Sequence, residues 1–326
     1  MKRLTYIDIA KGIGILSVIV GHTVKDATSH SVIFSFHMPL FFILGGCFIK
    51  PLGIKENFIK VWKSLLVPYL FSCVISLLYT LVDSQCDWAL MSEEVRTMIL
   101  VGAKWGRSSI SFMPVIWFLP VLAVAKLITQ KLLTYQNGRQ LIFAIAIISL
   151  LMTRFGIIIP FGISQAMTAS LYLLIGKVMM EKQIAESYSK HPYVLLFALF
   201  ASLLYCDQMW TVFQWNKMPF GIFNVLSSSF IVVIIISLCR WLDRYSDTML
   251  AKSFIWIGFY SLIILCVHFI DDKNVILDGW LSTIISTDNS CVLWICAGIL
   301  RLIAAASVSY VLLNIPLIRK IFNYSL

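Results

Sequence analysis

Long apolar runs separated by short polar connections dominate this chain of 326 residues. A helix needs ~20 largely apolar residues to cross the ~30 Å hydrocarbon core of a bilayer. Ten runs approach that length: 8–24, 31–49, 62–82, 112–130, 141–159, 163–180, 192–207, 218–240, 253–270 and 288–313. They are continuous, as in Ile231-Val-Val-Ile-Ile-Ile236, whereas the strands of a transmembrane barrel alternate apolar and polar residues. The pattern predicts an all-α, polytopic integral membrane protein of about ten transmembrane helices, forming a single domain over 1–326 with no internal repeat. The longest connection, about 83–111, has room for a short amphipathic helix but is too small to fold alone.

Composition narrows the class. The chain is 60% hydrophobic and 13% charged, with a mean hydropathy of +0.89. A soluble domain is nearer half apolar and a quarter charged, so too few charges are present to build a water-facing surface. Disorder is excluded by the same numbers and by the 13% aromatic content. If the N-terminus is cytoplasmic, 17 Lys and Arg fall on inner connections and 7 on outer ones, with Lys11 and Arg301 left inside spans. That asymmetry predicts ten spans with both termini cytoplasmic. The net charge of +10 then reads as topology and contact with anionic membrane lipid. Basic residues dispersed over many short loops are not a nucleic-acid footprint. Cys47, Cys73, Cys239, Cys266 and Cys296 lie in spans without a CxxC pair and read as small core residues. No metal-ligand spacing is present.

Ionisable groups inside spans are informative, because each costs ~2.5–3.5 kcal/mol at a helix centre. The first span holds Asp8, Lys11 and His22. Lys11 and His22 are eleven residues apart, which returns nearly to the same helical face at ~16 Å along the axis. Gly12, Gly14, Ser17 and Gly21 make this helix thin. Taken singly, Lys11 reads equally as a snorkelling interfacial lysine and His22 as an interfacial histidine. Asp26, four residues beyond His22, is either the imidazole's orienting carboxylate or a solvated loop residue. His37 enters the second span from the same side as His22, two residues before Pro39, which is expected to distort its helix. Lys60 and Lys63 share a helical face at the cytoplasmic entrance, suited to phosphates or to lipid headgroups. Trp117 lies between Pro114 and Pro120, where an aromatic-belt role competes with substrate contact. Ser261 and His268 are seven residues apart on one face of the ninth span.

In this order the motifs resemble the membrane-bound acyltransferase family 3, in particular its fucose O-acetylase-like branch. The likeness rests on Asp8-Ile-Ala-Lys11-Gly-Ile-Gly-Ile with Gly21-His22, on Phe36-His37-Met-Pro-Leu-Phe-Phe42, and on Lys60-x-x-Lys63 before Pro68-Tyr69. Trp117-Phe-Leu119 and Gly258-x-x-Ser261…His268 agree more loosely. The family's basic-x10-His motif falls on Lys11 and His22, with lysine where many members have arginine, and its two-basic element falls on Lys60 and Lys63. Lysine keeps the charge there but not the bidentate fork. Gly45-Gly46 stands where many relatives have Ser-Gly.

The resemblance implies an O-acyltransferase of a bacterial inner membrane, with acyl-CoA (commonly acetyl-CoA) as donor and a sugar of a surface glycan or lipid-linked precursor as acceptor. It implies no permanently bound cofactor and no metal. Residue chemistry and resemblance together give catalytic candidates His22, His37 and Lys11. They give donor-binding candidates Lys60, Lys63 and Lys11, and substrate-contact candidates Trp117, Ser261 and His268. An acyl-histidine intermediate and a homo-oligomer both remain open. The competing reading is a polytopic transporter or exporter of a glycan or small polar solute, which also uses ionisable groups inside spans.

Overall fold

The computed structural model describes residues 3–24, 26–83, 87–100, 115–205, 213, 216–274 and 291–324. Pro114, and Lys2, Lys25, Lys104 and Arg107 of the charge count, lie outside these residues. Among the described residues every regular element is helical. The order is α1 (Thr5–Thr23), α2 (Ala27–Gly46), α3 (Ile54–Val61), α4 (Val67–Asp83), α5 (Trp88–Leu100), α6 (Phe118–Leu132), α7 (Gly138–Arg154) and α8 (Ile163–Glu181). There follow α9 (Ile184–Tyr188), α10 (Pro192–Leu203), α11 (Ile222–Leu242), α12 (Met249–Phe259), α13 (Ser261–Asn274), α14 (Cys291–Leu312) and α15 (Pro316–Ile321). Helices are what lipid permits, since each satisfies its own backbone groups.

Each of the ten predicted runs contains a helix, but the lengths differ. Among the described residues six stretches are long and apolar enough to cross a membrane: α1, α2, Ile54–Val82, α8, Ile222–Tyr245 and Leu293–Leu312. A seventh is counted if α12 and α13, bent by 75° at their junction, form one span. In the remaining runs α6, α7 and α10 hold 15, 17 and 12 residues. Large apolar side chains such as Val82, Phe197, Phe200, Phe230 and Val311 are exposed. That is the surface of a multi-pass membrane protein, which meets lipid rather than water.

Two expectations about helix shape change. The ninth run is broken at Tyr260 rather than straight, and Pro39 leaves α2 one continuous helix. Pro68 acts more visibly: it cannot donate to the carbonyl of Ser64, and a π turn at Trp62–Leu66 adjoins it between α3 and α4. The connection after α4 carries α5, whose Glu94 accepts from Ser76 at 3.1 Å and whose Met98 carbonyl accepts from Tyr69 at 2.7 Å.

α1 is the central helix, packed against α2, α11, α12, α13 and α14. Its glycines make this possible. A methyl on Gly12 would lie 2.5 Å from the Phe254 carbonyl oxygen, and one on Gly258 would overlap the carbonyl of Asp8. Gly46 and Gly176 are reciprocal: a methyl on either would overlap the other helix's backbone, so α2 and α8 touch backbone to backbone. Such small-residue contacts let van der Waals packing hold helices together in lipid, where burial from water supplies no force. Hydrogen bonds add to it, as between Tyr172 and Ser228 at 2.7 Å.

Candidate functional site

The 75° bend sets α13 beside α1 and in the same direction, so the two helices present polar residues in register. Ser261 and Asp272 are eleven residues apart, as are Lys11 and His22. Ser261 lies at the Lys11 end and Asp272 at the His22 end. The site therefore has two ends joined by two parallel helices.

At the far end, His22 Nδ1 is 3.5 Å from Asp272 Oδ2. The other oxygen, Asp272 Oδ1, is 3.7 Å from Arg301 Nη1 on α14, and Arg301 Nε is 3.9 Å from Asp271 Oδ2. A carboxylate so bridged fixes the imidazole's orientation and leaves Nε2 for a further proton partner. The ring of His268, fully buried, meets that of His22 edge-on at 5.9 Å. Among the described residues neither nitrogen of His268 has a hydrogen-bond partner. His37, on α2, donates from Nδ1 to the Ile33 carbonyl at 2.8 Å, so its Nε2 is also the unprotonated nitrogen. Phe34 stands between these rings, 4.7 Å from His37, 6.0 Å from His22 and 3.8 Å from His30. Four of the five histidines thus gather at one end of the bundle.

At the near end Lys11 borders a half-open cavity of about 320 Å³ lined by α1, α2, α6, α13 and the π turn. Lys126 and Gln130 of α6 and Ser261 of α13 supply its other polar groups, while Ile15, Phe41, Leu119 and Leu265 are among its apolar ones. Lys11 Nζ is 3.3 Å from Asp8 Oδ1, and Arg3 Nε is 2.6 Å from Asp8 Oδ2. One carboxylate therefore serves two cations. The size lies at the lower end of the range for small-molecule pockets.

The sequence-derived candidates divide accordingly. His22, His37 and His268 come together, as do Lys11 and Ser261, which separates Ser261 from the histidine it was paired with. Lys60 on α3 and Lys63 in the π turn are exposed, outside the cavity, although Leu65 of that turn lines it. Trp117 is buried, stacked on Phe213 at 6.1 Å, and does not line the cavity. Asp26 is the solvated alternative: it caps α2 by accepting from the Ser29 N–H at 2.8 Å, which holds its carboxyl below the ordinary carboxylate value. The carboxylate beside His22 is Asp272 instead. Its signal was the eleven-residue spacing from Ser261, together with a lone arginine, Arg301, inside the last span. Lys126, counted by sequence as a loop charge, was missed as a cavity residue.

A multi-pass helical membrane protein whose central helix joins a cationic cavity to a histidine–carboxylate pair is the class these features define. Residues 4–319 match the acyltransferase domain of acyltransferase family 3, and the chain belongs to that family. No curated protein and no solved structure shows a match. Membership makes this a membrane acyltransferase and does not favour the transporter reading.

Proposed function

We propose that the protein is an O-acyltransferase of a bacterial inner membrane, moving an acyl group, acetyl first, from acyl-CoA to a hydroxyl of a surface-glycan or lipid-linked sugar. Within the family this corresponds to the fucose O-acetylase-like branch. The observation that carries the reading is the contact of His22 Nδ1 with Asp272 at 3.5 Å, on the helix whose other end borders the cavity through Lys11. In this scheme the donor enters from the cytoplasmic side past Lys60 and Lys63, and its phosphates rest near Lys11. Its extended pantetheine arm follows α1 over the ~16 Å to His22.

His22 Nε2 takes the proton of the acceptor hydroxyl as its oxygen attacks the thioester carbonyl. The tetrahedral intermediate then collapses, the carbon–sulfur bond breaks, and the proton passes from the imidazolium to the departing thiolate. A positioned base contributes ~10²–10⁴ in rate, so positioning of the two substrates must supply much of the remainder. His268 stands beside His22 as the group for a developing oxyanion, and the unprotonated Nε2 of His37 suits a hydroxyl of the acceptor. Trp117, set back in the core, supports the wall rather than meeting substrate.

Replacing His22 with alanine tests this. The purified variant in nanodiscs is expected to release no CoA thiol in the presence of a sugar acceptor, while its elution profile and thermal midpoint match the parent protein. Turnover within a few-fold of the parent would remove His22 from the chemistry. Mass spectrometry of surface glycans with and without the active protein identifies the acceptor.

A further inference from the structure

The cavity at the Lys11 end holds an excess cation that the mechanism above does not explain. Lys126 comes from the middle of α6 and is half-buried, and its side chain borders the same 320 Å³ space as Lys11. Among the described residues it forms no ion pair and donates no side-chain hydrogen bond. Asp8, the carboxylate that pairs with Lys11, is already shared with Arg3. A lysine that serves only packing or topology reaches water or a carboxylate, because an ammonium withdrawn from water without a partner is costly. Two ammonium groups lining one apolar-walled cavity repel each other, and an anion placed between them relieves both costs. Gln130 and Ser261 add neutral hydrogen-bonding groups to the same wall. Gln130 already donates to the Lys50 carbonyl at 3.0 Å, which fixes its position.

We propose that Lys126 and Lys11 form a phosphate seat inside the bundle, and that its occupant is the diphosphate of the acyl-CoA donor. This rests on the donor assignment made above. It adds that the decisive cation is Lys126, within the cavity wall, and gives the exposed Lys60 and Lys63 the lesser part of guiding the anion inward. A lipid phosphate offers the same chemistry, so the test separates the two sources.

The experiment uses the full chain in nanodiscs of uncharged phosphatidylcholine, comparing the parent with Lys126→Met and Lys126→Arg. Methionine keeps the volume and removes the charge, and arginine restores it. Calorimetric titration with CoA and with inorganic pyrophosphate is expected to show at least ~10-fold weaker binding for Lys126→Met and near-parental binding for Lys126→Arg. The thermal midpoint without ligand should not fall in Lys126→Met, since an unpaired cation has been removed, but the rise induced by CoA should be lost. In kinetics, KM for acetyl-CoA should rise ~10-fold while KM for acetyl-pantetheine, which lacks the diphosphate, stays unchanged. Equal losses with both donors would mean that Lys126 only shapes the cavity, and the proposal would be overturned. Binding of pyrophosphate and CoA that ignores the substitution would overturn it as well. Pyrophosphate and anionic-lipid binding that depend on Lys126, with no CoA binding even by the parent, would uphold the phosphate seat, move its occupant to lipid, and sink the donor assignment instead.

Discussion

Asp272→Asn isolates the electrostatic part of the site. Asparagine keeps the shape and one acceptor oxygen but removes the charge facing His22 Nδ1 at 3.5 Å. Two unit charges at that distance attract by ~5 kcal/mol at an effective dielectric near 20, and the carboxylate spends part of this on Arg301 at 3.7 Å. A hydrogen bond to a charged group nets ~1.5–3 kcal/mol. The imidazole is charged only while it carries the acceptor's proton, so the loss falls on the transition state. At 1.36 kcal/mol per tenfold, kcat should fall by about ten- to 150-fold with little change in the donor's KM. Arg301 keeps Asp271 at 3.9 Å, so the substitution does not strand a buried cation. Steady-state thiol release by the purified variant measures the effect, with Asp272→Glu expected to recover part of it. A well-folded Asp272→Asn protein with kcat within twofold of the parent would refute the idea that this carboxylate serves His22.

Two further outcomes follow from the packing and the surface. Gly258→Ala places a methyl against the backbone of Asp8 and Gly12, which cannot rotate away; overpacking of this kind costs ~1–3 kcal/mol. Its thermal midpoint in detergent should drop, and turnover with it, because α1 carries both Lys11 and His22. Gly53→Ala meets nothing within 4 Å and should stay within about 0.5 kcal/mol of the parent; equal midpoints for the two variants would contradict the close approach of α1 and α12. Lys60→Ala with Lys63→Ala should slow donor capture in a salt-dependent way and leave kcat at saturating donor intact, since both side chains are exposed. Unchanged kcat/KM at low salt would leave these lysines to the lipid headgroups.

Much of the candidate site was legible in the chain because membranes make ionisable residues conspicuous. Lys11, His22, His37 and His268 stood out by their cost alone, and the eleven-residue spacing on α1 placed the first two on one stripe. The place of Trp117 was not legible, because an aromatic residue near prolines has the same signature at an interface and in a core; its stack on Phe213 depends on a segment distant in sequence. Asp272 was passed over because it follows an apolar run, where a carboxylate reads as a loop residue beyond the end of a span. Its approach to His22 comes from the packing of α13, beyond the bend at Tyr260, against α1.

The sequence by itself determined that this is a helical membrane protein, where its apolar helices lie, and which helix carries the lysine and the imidazole. Hydrophobic length and 3.6-residue periodicity are local properties, readable one segment at a time. The tertiary structure alone decided which carboxylate meets the histidine, that Lys126 shares a cavity with Lys11, and that α13 runs parallel to α1. Those facts depend on a backbone bend and on glycine contacts between helices more than 200 residues apart in the chain, such as Gly12 and Gly258, and no pattern within a single segment encodes the approach of another.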